Sequence, residues 1–156
     1  MYEGLRTLSL QEHLFEIRWK KVKGAHPTWT DTEIYHEVIR LVSPVKTLEG
    51  LPNIPPHSTG VAVDVYLADR MSGQPVDMGI LAQDWLLDLD GVLSQTDSEL
   101  ISPEAKKNRE ILRQAMVKAG FVNYPTEYWH WSYGDRYWAF VQRKSQALYG
   151  PVTHIA

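Results

Sequence analysis

Apolar residues recur at helical spacing near the start of the chain. The segment LQEHLFEIRWKKVK is preceded by Ser9, a favourable N-cap residue, and followed by Gly24, a common helix stop. The spacing of its apolar side chains places them roughly on one face of an α-helix. The pattern therefore predicts an amphipathic helix with an inward face formed by Leu10, Leu14, Ile17 and Val22.

A second helix is predicted from Thr30. Thr30 and Glu33 match the capping-box pattern, in which each side chain bonds the backbone N–H of the other residue. Pro44 marks the end of the helical pattern, because proline cannot extend a helix. The apolar positions between these signals are Ile34, Val38 and Leu41.

A third helix has a clear start and a clear end. Ser102 is a good N-cap, Pro103 suits the first helical position, and Gly120 is a typical stop after Ala119. The residues between them lack helix breakers. The pattern predicts a helix with an inward face formed by Ile111, Leu112, Ala115 and Met116.

Residues 61–67 alternate between two faces, which predicts a β-strand with one core face. The preceding residues 43–56 are rich in proline and predict a loop that leads to His57. The core face would carry Val61, Val63, Val65 and Leu67, and the opposite face Ala62, Asp64 and Tyr66.

The last part of the chain is strongly aromatic. Its segment TEYWHWSYGDRYWAFVQ contains two β-rich runs around Tyr133-Gly134-Asp135, which predicts a hairpin that turns there. Residues 68–102 have mixed signals and are predicted to form loops that shape a cleft wall. The order helix, helix, strand, helix, hairpin predicts an α+β fold, in which a small antiparallel sheet is flanked by helices.

The length of the chain indicates its number of domains, and its net charge limits the classes of partner it can bind. The 156 residues suit a single domain, predicted over 1–156. A net charge of -3, with scattered Lys and Arg, argues against a nucleic-acid partner. No apolar run approaches the ~20 residues needed to cross a bilayer, and the start lacks a signal-peptide pattern. We therefore expect no membrane partner and a cytoplasmic location, or a periplasmic one if an upstream signal peptide is missing.

The absence of cysteine leaves His and carboxylate groups as the candidate metal ligands. Asp64 lies in a run of valine, alanine and tyrosine, where an unpaired carboxylate is costly, so we expect a cation or a close hydrogen-bond partner. His57 alone would be an ordinary surface or core residue. Both can reach one metal ion if Ser58-Thr59-Gly60 turns the chain between them.

Glu127 and His130 form a second pair of candidates. Residues three apart face opposite sides of a regular strand, so a shared site requires Glu127 to sit at a bend just after Pro125. The pair differs from the helical His-Glu-x-x-His pattern of many zinc peptidases, because it contains a single histidine. The remaining histidines, which we expect at the surface, are His13, His26, His36 and His154.

Together these residues form two motifs, H-x-x-G-x-A-x-D followed by E-x-W-H. The first comprises His57, Gly60, Ala62 and Asp64, and the second comprises Glu127, Trp129 and His130. With them the chain resembles the zinc D-Ala-D-Ala dipeptidase (VanX-type) family and the related D,D-carboxypeptidases, from roughly Leu5 to Val152. The resemblance implies a D,D-peptidase/Hedgehog-like fold and one zinc ion held by His57, Asp64 and His130. It also implies that Glu127 is the catalytic base.

The family's upstream Arg-Pro, followed soon by Gln, corresponds here to Arg6-Thr7 and Gln11. The resemblance thus implies that Arg6 stabilises the transition state, although Thr7 replaces the usual proline. A second departure is Pro55, where the family often has a serine. The segment that family members carry before the arginine is also short here, so the chain is expected to lack part of the family's N-terminal region.

The resemblance implies hydrolysis of the D-Ala-D-Ala dipeptide to D-alanine. Two neutral imidazoles and one carboxylate leave an open position on zinc for water, whose proton Glu127 would accept. One alternative is a D,D-carboxypeptidase or endopeptidase that acts on longer peptidoglycan peptides. Another is a truncated zinc-binding protein without activity. The sequence leaves the oligomeric state open.

Overall fold

Helices surround a three-stranded sheet in the computed structural model, which describes residues 2–152. This confirms the α+β prediction, while the single-domain span 1–156 stays a prediction. Two short 3-10 helices, Pro56–Thr59 and Ala82–Leu87, supplement the regular elements. In chain order those elements are α1 Leu8–Ala25, α2 Asp31–Val38, β1 Ala62–Asp64, α3 Pro103–Lys118, β2 Val122–Tyr124, β3 Glu127–Ser132 and α4 Arg136–Val141.

The sheet is antiparallel with the order β1-β3-β2, so β3 is the central strand. Its register pairs Asp64 with His130 and Val63 with Trp131. Residues directly opposite each other on an antiparallel pair point to the same face, so Asp64 and His130 share one face. The N-terminal residue Glu3 forms a further antiparallel bridge with Asp64. This bridge brings the start of the chain to the edge of β1.

The strand predicted over 61–67 is shorter than expected and is buried on both faces. Val63 and Val65 pack against the aromatic side chains of β3, as expected of a core face. Ala62 and Asp64, on the opposite face, are even more buried. The prediction of a single core face was therefore wrong, because the second face is covered by the elements around the site.

The predicted hairpin around Tyr133-Gly134-Asp135 was also wrong. The hairpin consists of β2 and β3, and the chain continues after Asp135 as helix α4. The carboxylate of Asp135 accepts a hydrogen bond from the backbone N–H of Trp138 at 2.8 Å, which caps the helix. Aromatic β-propensity is weak against such local capping and packing.

Helix α1 begins two residues earlier than a cap at Ser9 would allow. Thr7 is the N-cap, and its hydroxyl accepts a hydrogen bond from the N–H of Leu10 at 3.3 Å. Leu10 is 44% exposed, so the predicted inward face is rotated. The buried residues of α1 are Gln11, Arg18 and Val22.

Helices α2 and α3 begin where the sequence predicted. The Thr30–Glu33 capping box is present, and Ser102 caps α3 through the N–H of Ala105. Helix α2 ends at Val38, and turns replace the predicted helix up to Leu41. The predicted inward face of α3 is partly wrong, because Ile111 and Ala115 are exposed. The buried residues of α3 are Ala105, Asn108, Arg109 and Leu112.

The core consists of two apolar clusters, one between the sheet and α3 and the other between α1 and α2. Trp85, in the segment predicted to form a cleft wall, packs against both clusters. In the described part of the chain, no helix has the length and apolar character needed to span a membrane. The buried members of the first cluster are Met78, Ala82, Leu112, Tyr128, Trp129 and Trp131, and those of the second are Val22, Ile34, Val38 and Val42.

Candidate metal centre

Three predicted metal ligands meet on one face of the sheet. His57 lies on the 3-10 turn Pro56–Thr59, Asp64 ends β1, and His130 lies opposite Asp64 on β3. Gly60 ends the turn with a φ of 73°, a left-handed conformation that glycine adopts without strain. The turn at residues 58–60 that the sequence predicted is therefore present, and it lets His57 and Asp64 converge.

The ligand atoms of these residues form a nearly equilateral triangle. The Nε2 atom of His57 lies 3.1 Å from Nδ1 of His130 and 3.3 Å from Oδ1 of Asp64. Nδ1 of His130 lies 3.2 Å from the same Asp64 oxygen. All three residues are buried. Zinc bonds of about 2.0–2.1 Å in tetrahedral geometry separate neighbouring ligand atoms by roughly 3.3 Å, so the triangle fits zinc.

The outer hydrogen bonds of the two histidines also suit a metal site. Nδ1 of His57 lies 2.9 Å from the carbonyl oxygen of Gly4, which can only accept, so this nitrogen carries the proton. Nε2 of His57 is then left with a lone pair directed at the triangle. Nε2 of His130 lies 3.4 Å from the hydroxyl of Ser132. Such partners fix the orientation of metal-binding imidazoles.

Asp64 is held in its charged form. Burial alone would disfavour the carboxylate, but hydrogen bonds with His130 and then His57 outweigh it and keep the pKa of Asp64 well below its usual range. Nη2 of Arg6 lies 3.9 Å from its Oδ2 atom. The buried anion expected from the sequence is thus present, together with two imidazole partners and a nearby guanidinium group.

Glu127 lines the same cavity, but its pKa is shifted in the opposite direction from that of Asp64. Burial first, and the nearby negative charge of Asp64 second, raise the pKa of Glu127 well above its ordinary value. Its Oε2 atom accepts a hydrogen bond from Nε1 of Trp129 at 3.1 Å. A carboxyl group with a raised pKa can exchange a proton near neutral pH, as a general base must.

A register shift in the pairing of β2 with β3 brings Glu127 and His130 to one cavity. Asn123 pairs with Trp131, but the next residue, Tyr124, pairs with Glu127. In an unbroken register Tyr124 would face His130, so residues 128–130 of β3 are left without a pairing partner on β2. The sequence predicted a bend at Glu127 before regular pairing starts. The turn at residues 125–126 ends just before Glu127, which begins β3, and the irregular pairing after it lets both side chains line the cavity.

Asn123 is a site residue that sequence reasoning missed. Its Nδ2 atom donates to the carbonyl oxygens of Glu127 at 3.1 Å and His130 at 2.9 Å. Its Oδ1 atom accepts a hydrogen bond from the hydroxyl of Thr96. One side chain therefore connects both ends of the strand irregularity. Nothing in the sequence around Asn123 signals this contact.

Arg6 reaches the site through the N-terminal segment. Its guanidinium group forms an ion pair with both carboxylate oxygens of Glu3 and donates to Oε1 of Gln11 at 2.7 Å. Gln11 is buried and donates in turn to the carbonyl oxygen of Ser43 at 2.6 Å. Glu3 was missed by the sequence analysis, whereas the Arg-then-Gln spacing pointed to Gln11.

The site lies in a cavity of about 890 Å³, within the range of small-molecule binding sites. Its walls come from both apolar clusters, including Ala82 and Trp85 of the predicted cleft wall. Two of the other histidines, His13 and His36, are exposed, and His26 stacks on Trp29. His154 lies outside the described residues. The polar and charged residues that line the cavity include Glu3, Arg6, Gln11, Asn53, His57, Asp64, Glu127, His130 and Arg136.

Sequence comparison identifies the family of the chain. Residues 30–147 match the D-ala-D-ala dipeptidase family, so the chain belongs to this family. The matched range includes the three candidate ligands and Glu127, and it begins after Arg6.

The chain is also similar to a D-alanyl-D-alanine dipeptidase of Synechocystis sp., with 37% identity over 153 residues. The alignment covers 90% of this chain and 61% of that relative. The chain thus spans less than two thirds of the relative's length.

Proposed function

We propose that this protein hydrolyses the D-Ala-D-Ala dipeptide in a zinc-dependent reaction. The observation that carries the proposal is the buried triangle of His57, Asp64 and His130 beside the carboxyl group of Glu127. Membership of the D-ala-D-ala dipeptidase family and the similarity to a D-alanyl-D-alanine dipeptidase support the choice of substrate.

In this proposal zinc is held by Nε2 of His57, Nδ1 of His130 and Oδ1 of Asp64. Two neutral histidines and one carboxylate are a donor set of catalytic zinc sites, which keep one coordination position open. A zinc ion bound there would acidify a water molecule and polarise the carbonyl group of the substrate. A metal-binding imidazole nitrogen must be unprotonated. The hydrogen bond from Nδ1 of His57 to the carbonyl oxygen of Gly4 keeps the proton on Nδ1, so Nε2 of His57 can bind the metal.

Glu127 is the proton-transfer group in this mechanism. Its carboxylate accepts a proton from the water that attacks the peptide carbonyl, and it then passes this proton to the departing amine. The raised pKa of Glu127 supports both steps, because a carboxyl group that is less acidic than usual is a better base toward water and can still release the proton to the amine. Trp129 orients the carboxylate through its indole N–H.

Arg6 stabilises the negative charge that develops on the carbonyl oxygen. Glu3 and Gln11 hold its guanidinium group beside Asp64, so the donor is oriented before the substrate binds. A preoriented cation favours the transition state, in which the negative charge develops, over the ground state.

The proposal is tested by one combined measurement on purified protein, the zinc content and the release of D-alanine from D-Ala-D-Ala. We expect one zinc ion per chain and turnover that a chelator abolishes. Turnover without bound metal would contradict the zinc mechanism. Stoichiometric zinc without any peptide hydrolysis would support a zinc-binding protein that lacks activity.

A second candidate is a D,D-carboxypeptidase that acts on longer peptides, and the size of the cavity favours it. A dialanine molecule occupies roughly 200 Å³ at the packing density of protein interiors, far less than the 890 Å³ of the cavity. A comparison of D-Ala-D-Ala with a pentapeptide that ends in D-Ala-D-Ala separates the two candidates. A higher kcat/KM for the pentapeptide would favour the carboxypeptidase.

A further inference from the structure

Two arginines line the described part of the cavity, and they differ in their contacts. The guanidinium group of Arg6 is paired with both carboxylate oxygens of Glu3. Arg136 contacts a neutral side chain, Asn53, and takes part in none of the ion pairs found among residues 2–152. The positive charge of Arg136 is therefore available to an anionic ligand in the cavity.

Asn53 holds the guanidinium group of Arg136 in place. Its Oδ1 atom accepts a hydrogen bond from Nη2 of Arg136 at 2.5 Å. Its Nδ2 atom donates to the carbonyl oxygen of Pro44 at 2.5 Å and to the hydroxyl of Ser43 at 3.2 Å. A guanidinium group has five N–H donors, so most remain free to bind a ligand. An arginine oriented in advance loses less entropy on binding.

Arg136 is linked to the metal centre on two sides. Asn53 precedes the ligand His57 by four residues, and Pro56 and Arg136 both line the cavity. On the other side, the ring of Tyr137 packs on Tyr124 with 5.1 Å between centroids. The Tyr124 ring lies 5.9 Å from the imidazole of His130. Tyr137, the next residue after Arg136, is thus connected to a candidate ligand through one intervening ring, and all four residues line the same cavity.

We propose that Arg136 binds the C-terminal carboxylate of the peptide substrate. This inference rests on the proposed function. A peptide of alanine residues carries no other anion, and a guanidinium group binds a carboxylate through two parallel hydrogen bonds. The scissile carbonyl and the terminal carboxylate are one residue apart, roughly 3.8 Å of chain, so one cavity accommodates both.

This assignment has a consequence for specificity. A site that requires a free C-terminal carboxylate cleaves the last peptide bond of its substrate. It accepts both a dipeptide and a longer peptide, because the rest of the cavity is open to residues on the amino side. It discriminates against a peptide with a blocked C terminus, and therefore against an internal bond.

The test compares D-Ala-D-Ala with its C-terminal amide as substrates. The variants are Arg136→Gln, Arg136→Lys and the matched control Arg113→Gln, which removes an exposed arginine on α3 outside the cavity. We expect the unsubstituted protein to favour the acid by about 10- to 100-fold in kcat/KM. Arg136→Gln should abolish this preference by raising KM for the acid much more than KM for the amide.

Arg136→Lys should keep part of the preference, because charge remains but the planar fork is lost. Arg113→Gln should behave like the unsubstituted protein. An acid preference that survives in Arg136→Gln would overturn the assignment, and so would equal kcat/KM values for acid and amide in the unsubstituted protein.

Equilibrium binding separates this inference from the proposed function. The same acid and amide are titrated into zinc-loaded Glu127→Gln protein, with and without the Arg136→Gln substitution. If binding favours the acid only when Arg136 is present, Arg136 is the carboxylate anchor. If the unsubstituted protein then cleaves no dipeptide, only the proposed function fails. If cleavage occurs but binding shows no acid preference, only the anchor fails.

Discussion

The side-chain amide of Asn123 donates a hydrogen bond to the carbonyl oxygen of His130 at 2.9 Å. The same nitrogen also contacts the carbonyl oxygen of Glu127. These carbonyls flank the stretch of β3 that departs from regular pairing with β2. Asn123 therefore fixes the distance between a candidate metal ligand and the candidate base, although its own side chain is not needed for the chemistry.

We predict that Asn123→Ala lowers kcat by about 10- to 100-fold, because a small displacement of a catalytic group is costly. The matched control is Asn108→Ala on α3. The side-chain amide of Asn108 donates to the carbonyl oxygen of Asp77 at 2.8 Å. Both substitutions should destabilise the protein, by about 1–3 kcal/mol where a buried carbonyl loses its partner. Only Asn123→Ala should change kcat, and an equal kcat in both variants would contradict the positioning role.

Glu127→Gln should bind zinc as well as the unsubstituted protein and lose most of its turnover. The amide retains the shape of the side chain and cannot accept the proton of the attacking water. General acid–base catalysis contributes about 10²- to 10⁴-fold, so kcat should fall by that factor. Metal analysis and D-alanine release check the two parts of the prediction. Near-normal hydrolysis by the glutamine variant would exclude Glu127 as the base.

His57→Ala should abolish zinc binding, because it removes one corner of the ligand triangle. The control is His13→Ala, which removes an exposed imidazole from α1. Zinc content after dialysis against a weak chelator distinguishes the two variants. Retention of one tightly held zinc ion by His57→Ala would mean that the metal is bound elsewhere.

Arg6→Ala should lower kcat by about 10²-fold while the zinc content stays unchanged. The reason is that Arg6 is proposed to stabilise the negative charge on the carbonyl oxygen, which develops only in the transition state. Arg113→Ala, on the exposed face of α3, is the control. Steady-state kinetics and metal analysis of both variants make the comparison. If Arg6→Ala has normal kinetics, then Arg6 serves only to hold Glu3 and Gln11 in place.

The candidate metal ligands could be predicted from the sequence because their residue types and their spacing both suit a metal site. A carboxylate among apolar residues, as at Asp64, is costly unless a cation or a hydrogen-bond donor pairs with it, so its position indicates a partner. Gly60 indicates the turn that brings His57 to Asp64. Helix starts at Thr30 and Ser102 were predictable for a similar reason, because capping is decided by residues within one turn.

The missed features depend on contacts between distant segments. Asn123 and Arg136 look like ordinary polar residues until folding brings them to Glu127 and Asn53. The aromatic run after Gly134 has β-propensity, but packing and the Asp135 cap make it a helix. Local pattern thus predicted the candidate ligands and the candidate base, while Asn123 and Arg136 could be identified only from the tertiary structure.

Glu127 should also make the metal-free protein less stable at neutral pH than a Glu127→Gln variant. The pKa of Glu127 is higher in the folded state than the ordinary value of about 4.3 in the unfolded chain. As pH rises through this interval, the unfolded chain releases the proton first, so the free energy of unfolding falls. The loss is about 1.4 kcal/mol for each pH unit of the interval.

Glutamine does not titrate, so the stability advantage of Glu127→Gln should be near zero at about pH 4 and larger at about pH 7. Denaturant unfolding of both proteins in the presence of a chelator measures this difference at the two pH values. The lowered pKa of Asp64 acts in both proteins and largely cancels in the comparison. An advantage that is the same at both pH values would show that Glu127 does not carry the buried, raised-pKa carboxyl group on which its role as a base depends.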